Sequence, residues 1–209
     1  MKATYIPLVI KTYSEGHFGL SLILSSLIAI PMFYFHAISI DEIPAFCFMV
    51  AAFSFLPDID LYRLKGIVKH RGPTTHSLMF AIIVALGVFG FLLYSKESLY
   101  ICFLGLTAGF LAMIFHFVGD YMTFEKFPMM FPFSRDLYGG EDWFKSGQEP
   151  HGLFVAGFFV FILVYFYLSG GFSGITPKFL IGLFPTLTSN RKFLSVDSFD
   201  LHYASSQGG

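Results

Sequence analysis

Apolar residues gather into five runs, 18–35, 43–56, 77–94, 99–118 and 152–168, and every Asp, Glu, Lys and Arg lies outside them. Four of the runs are long enough, or nearly so, to cross a hydrocarbon core of about 30 Å as helices, which takes roughly 17 to 25 residues. The second run is short and reads as a thin span flanked by polar anchors, because placing it across the membrane makes the charge distribution coherent. The pattern predicts an all-α fold: a polytopic membrane helix bundle of about five transmembrane helices with an interfacial loop. Pro31 falls in the last turns of the first helix, where it can kink the helix without abolishing it. Residues 127–152 are aromatic, Pro-rich and edged by charge, and predict a loop in the headgroup plane with Tyr138 and Trp143 at belt depth. Residues 1–171 are expected to form one membrane-embedded domain, and 172–209 a short interfacial segment followed by a Ser-rich flexible tail.

Composition supports this. Of 209 residues, 55% are hydrophobic and only 13% charged, far too apolar for a soluble domain of this size. Cys47 and Cys102 fall inside apolar runs and behave as small hydrophobes, so there is neither a disulfide framework nor a Cys-based zinc motif. No small-residue cleavage site follows the first run, and that helix is expected to be retained. With five spans, segments 1–17, 57–76 and 119–151 share one side and carry nine of the thirteen Lys and Arg residues. By the positive-inside rule that side is cytoplasmic, which predicts a multi-pass protein of the inner, cytoplasmic membrane. Five of the seven histidines, His17, His70, His76, His116 and His151, fall on or within about a turn of the same side.

The chemistry sits in short motifs on that side. In "LPDID" a proline ends the second helix and presents Asp58 and Asp60, which can bind one cation or one each of two. In "HFVGD" His116 and Asp120 are spaced i, i+4 and share one helical face, a common way to hold zinc. In "HRGPTTHSL" Gly72 and Pro73 break the chain, Thr74 or Thr75 supplies an N-cap hydroxyl, and His70 and His76 flank the turn. The helix N-terminus there, with Arg71 beside it, suits an anionic group. His17 completes the ring, and Glu149 is a further candidate ligand with His151 beside it. So many ligands suit two ions about 4 Å apart. Imidazoles mixed with carboxylates favour zinc, with manganese or iron as alternatives. Asp60 is the preferred general base if it is not a ligand, and Arg71 the preferred anion holder. No basic stripe for nucleic acid is present.

Taken in order, His17, "LPDID", "HRGPTTHS", "HFVGD", Thr123 and "FPFS" (131–134) resemble the YdjM-like family of membrane-bound metal-dependent hydrolases, over about residues 15–135. The resemblance implies a multi-pass inner-membrane protein with a metal site at the matching His and Asp positions. The family's ligand pattern is similar in turn to zinc-dependent phospholipase C and nuclease enzymes. This chain departs in the "EGHFG" setting of His17 and in one extra threonine before His76. The expected function is a phosphoesterase-like hydrolase at the cytoplasmic membrane surface, in which metal-activated water attacks an anionic lipid or lipid-like substrate. The rivals are a transporter or metal-handling channel, and a non-catalytic membrane protein with a structural metal. Helices 3 and 5 lack mid-helix ionisable residues and the chain has no internal repeat, which argues against the transporter.

Overall fold

The computed structural model describes residues 13–62, 67, 69–122, 125–140 and 150–171. Among them the fold is all helical: α1 (Tyr13–Tyr34), α2 (Ile43–Phe53), the single turn α3 (Ile59–Tyr62), α4 (Leu78–Tyr94), α5 (Leu99–Tyr121) and α6 (Pro150–Leu168). The only extended pairing among the described residues is an isolated antiparallel bridge between Phe127 and Tyr138. The chain divides into the unit Met1–Ser169, which holds all six helices, and the unit Gly170–Gly209. Of the second only 170 and 171 are described, so the expected interfacial segment and tail at 172–209 lie outside the described residues.

Helix ends follow local chemistry. Ser98 caps α5 by accepting from the Ile101 amide, and Ser77 caps α4 by accepting from the Phe80 amide. The α4 cap is therefore Ser77, two or three residues beyond the threonines expected to serve. Thr75 is instead turned toward Asp60, and a hydroxyl engaged there cannot cap. Pro31 lies within α1, which runs on to Tyr34. The helix closes through His36 at φ +57°, with the Ala37 amide reaching back to the Met32 carbonyl at 2.8 Å.

α1 packs on α6, α2 and α5; α5 also packs on α2 and α4. Small residues set the closest approaches. A Cβ on Gly19 would lie 2.2 Å from the Leu153 carbonyl oxygen, and one on Gly157 would lie 2.6 Å from the Gly19 oxygen, so α1 and α6 cross backbone to backbone. Gly109 brings α5 onto α4 in the same way, with Ala85 Cα 3.2 Å from where its Cβ would be. Outward faces are apolar: Ile83, Leu86 and Phe91 of α4 and Val155, Phe159 and Ile162 of α6 are all more than half exposed. Such continuous apolar surface is stable only in an apolar medium.

By length and composition α1 (from Glu15) and α5 can cross a membrane, whereas α2, α4 and the apolar part of α6 are shorter. α2 has contracted from the fourteen residues expected to eleven, about 16 Å of helix. Its C-terminal end unwinds at Ser54, ahead of Pro57, which releases the Ser54 carbonyl for a partner described below.

Candidate metal centre

Three elements carry the central residues. α5 presents His116 and Asp120 one turn apart, the turn before α4 presents His76, and the loop after α2 presents Asp58. His76 Nε2 lies 3.3 Å from His116 Nε2 and 3.2 Å from Asp120 Oδ2, and His116 Nε2 lies 3.3 Å from the same oxygen. Ligands about 2.0–2.1 Å from a tetrahedral ion are separated from each other by about 3.3 Å. The triangle therefore has the edge lengths of one face of a zinc-type tetrahedron.

Proton placement sharpens this. His116 Nδ1 lies 2.8 Å from the Ser54 carbonyl, which only accepts, so Nδ1 is assigned the proton and Nε2 the lone pair. Thr75 Oγ1 donates to Asp60 Oδ2 at 2.7 Å, leaving its own lone pairs to accept from His76 Nδ1 at 2.9 Å. The neutral tautomers thus aim two lone pairs and a carboxylate oxygen at one point. A cation satisfies all three at once, and second partners on the far ring nitrogens are how ligating histidines are held. Among the described residues Asp58, Asp60 and Asp120 are buried together with the guanidinium of Arg71. A dication bound here would take the place of the proton that these carboxylates otherwise favour on His76.

A second group adjoins the first. His17, Asp58 and His116 also bring ligand atoms within 4.8 Å of one another. Asp58 Oδ1 is 3.8 Å from His116 Nε2, and His17 Nε2 is 3.5 Å from Asp120 Oδ1. Buried Asp58 Oδ2 and His17 Nδ1 have no hydrogen-bond partner among the described residues. Because His116 has one free nitrogen, the two groups share a ligand atom and cannot each be completed by it.

Other expected residues stand elsewhere in the network. Asp60 accepts from the Arg71 amide at 3.2 Å and from Thr75, and its other oxygen lies 3.0 Å from His70 Nδ1. With both oxygens hydrogen-bonded it holds the 70–76 turn and His76 in place, and it stands outside both ligand groups. Burial pushes the Asp60 carboxyl up, but hydrogen bonds from His70, His76 and Thr75 outweigh it and hold it well below the usual range. His70, a third exposed, is raised chiefly by its bond to Asp60 and reaches toward Glu125, 3.7 Å away. It stands beside the centre and belongs to neither ligand group. His76 is pushed down by burial and raised more strongly by Asp120 and Asp60, so a proton is favoured there when no metal is bound.

Arg71 belongs to the same network. Held at φ +53°, it donates from Nη2 to Asp120 Oδ1 at 2.7 Å and from Nη1 to the Glu125 carbonyl at 3.0 Å. The guanidinium so placed orients Asp120. The α4 N-terminus is committed, since the Leu78 amide donates to the Met129 carbonyl at 2.7 Å and the Met79 amide to that of Phe131 at 3.3 Å. Glu149 and the side chain of His151 lie outside the described residues.

Sequence reasoning missed Gly119, although it lies inside "HFVGD". A Cβ there would fall 2.6 Å from His17 Nδ1, so the glycine is what admits the His17 ring, stacked 4.0 Å from His116. It also missed the Ser54 carbonyl and Glu125, which carry no motif and act only through proximity, and it gave Thr75 a capping role in place of its contact with Asp60 and His76.

The family model described as YdjM inner membrane protein matches residues 13–183, more than four-fifths of the chain. The chain belongs to the YdjM inner membrane protein family. That places it in a membrane and agrees with the family resemblance read from the ordered His and Asp motifs. No curated protein and no solved structure matches it. Every residue of the two ligand groups lies within the part of this YdjM family member that the family model covers.

Proposed function

We propose that this YdjM family member is a metal-dependent hydrolase that acts at the cytoplasmic face of the inner membrane, with α1, α2, α4, α5 and α6 all traversing the bilayer. The observation that supports it is the His76, His116 and Asp120 triangle, three protein ligands on one face of a tetrahedron. Closed structural sites use four protein ligands, whereas catalytic sites use three and keep a position for water or substrate. A divalent ion, zinc by preference and manganese or iron as alternatives, would supply Lewis acidity and acidify water. Asp58 and His17, each with an unpartnered buried atom, flank the open side and would hold a second ion or accept a proton from water. Arg71 and Asp60 keep Asp120 and His76 oriented. The substrate class is a phosphoester of a lipid or lipid-like molecule, attacked by water.

The rival readings, a transporter or metal-handling channel and a stapling metal, differ in stoichiometry and turnover. The test is elemental analysis of detergent-purified protein together with phosphate release from a panel of phospholipids. One or two transition-metal ions per chain, lost in His116→Ala, with metal-dependent phosphoester cleavage, is the expected result. Tightly held metal without turnover on any phosphoester would leave the structural reading, and metal flux in proteoliposomes would favour the channel.

A further inference from the structure

The loop after α5 closes over the metal centre and is itself apolar on the outside. Phe127 is buried, with its ring against His76 and Phe117, and both its backbone groups pair with Tyr138 at 2.9 Å. Its neighbours face outward: Phe133 is 78% exposed, Leu137 60% and Met130 37%. Three large apolar side chains turned outward within twelve residues of loop make a surface that water disfavours.

Their depth is set by the hydrogen bonds from the Leu78 and Met79 amides to the Met129 and Phe131 carbonyls. These bonds tie the loop alongside the first turn of α4, whose own outward face begins at Met79, 44% exposed. Wherever hydrocarbon reaches the first turn of α4, it reaches the loop too. His76 precedes that turn by two residues, so the metal centre lies at the adjoining headgroup level.

Basic side chains stand exposed on and beside the loop. Lys69, Lys126 and Arg135 are exposed, and no ion pair joins them to another described residue. Two acids, Glu125 and Asp136, stand near them. Glu125 lies against Arg71 and His70, and Asp136 accepts from the Ser134 hydroxyl at 2.6 Å.

We propose that residues 127–138 form a wedge inserted into the membrane leaflet, and that the group delivered to the metal centre is the phosphate of an anionic membrane lipid rather than that of a soluble phosphoester. The second half rests on the hydrolase reading; the first half does not. Lipid enters sideways past Phe133 and Met130, its headgroup drawn by Lys126 and Arg135, while Phe127 bars water from His76.

The test uses the full chain in nanodiscs containing phosphatidylglycerol. A spin label on Phe133→Cys reports depth, since the native cysteines are buried. Collision with dissolved oxygen should exceed collision with a water-soluble nickel chelate, and the reverse would overturn the wedge. Diazirine-bearing phosphatidic acid should label the protein, and millimolar glycerol phosphate should not displace it. Lys126→Gln and Arg135→Gln should each lower labelling about fivefold, the effect of a basic residue at an anionic membrane surface. Displacement by glycerol phosphate, or labelling indifferent to both charges, would overturn the lipid assignment. Loss of labelling in Phe133→Asp with metal content intact is the expected separation of wedge from metal site. Protein that labels and holds metal but releases no phosphate from phosphatidic acid would sink the hydrolase reading and leave the wedge standing.

Discussion

His76 and His116 meet Nε2 to Nε2 at 3.3 Å across the bundle, each ring held from behind by an acceptor on its Nδ1. With the Asp120 carboxylate between them, that spacing is the one two ligands of a single tetrahedral cation would take.

Substituting the ligands and their supports should therefore separate cleanly. His116→Ala and Asp120→Ala are expected to abolish stoichiometric metal. Asp60→Asn removes only the carboxylate that steadies His76, and is expected to weaken metal binding about 10–100-fold while keeping full stoichiometry at saturation. A competition titration against a chromophoric chelator distinguishes the two outcomes, and equal loss in all three variants would place Asp60 among the ligands after all.

Gly119 tests the second position. In Gly119→Ala the new methyl group occupies the place of His17 Nδ1 and should push the ring aside without touching His76. If two ions are bound, the variant is expected to keep one; unchanged stoichiometry would remove His17 from the ligand set.

The buried pair of Arg71 and Asp120 predicts a stability coupling. Asp120→Asn in the presence of chelator strips the guanidinium of its buried counter-charge 2.7 Å away, and breaking a buried pair costs about 3–5 kcal/mol. Arg71→Met should cost a similar amount. The double variant should be less destabilised than the sum by about 1–3 kcal/mol, measured by denaturation in detergent.

Acidity should act in opposite directions on the metal-free and metal-loaded protein. Asp60 is depressed from 3.8, so its contribution is present above that value and lost as pH falls through its lower folded value. His70 is raised from 6.5, so its contribution is fully present below 6.5 and lost as pH rises through its folded value. Metal-free protein is thus expected to lose thermal stability as pH rises from about 6 to about 9, whereas stabilisation by added zinc should grow because His76 must shed its proton to bind. Parallel melting curves with chelator and with zinc check both slopes.

Packing offers a prediction independent of the metal. Gly19→Ala would drive a methyl group into the Leu153 carbonyl of α6 and force the helices apart. Overpacking of this kind costs about 1–3 kcal/mol. The expected result is a lower melting temperature with metal content retained.

Much of this was legible along the chain. Apolar runs located the five longer helices because helix formation in an apolar medium depends on local composition, and the single turn α3 alone went unseen. Residue type and i, i+4 spacing singled out His116 and Asp120 because two side chains one turn apart converge whatever surrounds them. Assigning roles needed the third dimension. Asp58 and Asp60 look equivalent in "LPDID", yet one keeps an unpartnered oxygen beside His116 and the other is saturated by Thr75, His70 and the Arg71 amide. Arg71 looked free to bind an anion until α5 and its loop brought Asp120 and Glu125 against it. Sequence by itself determined which residues could bear charge and which segments could cross a membrane, since both follow from local chemistry. Only the tertiary structure decided which lone pairs remain unspent, because a hydrogen bond between residues 49 or 62 positions apart depends on how the helices cross.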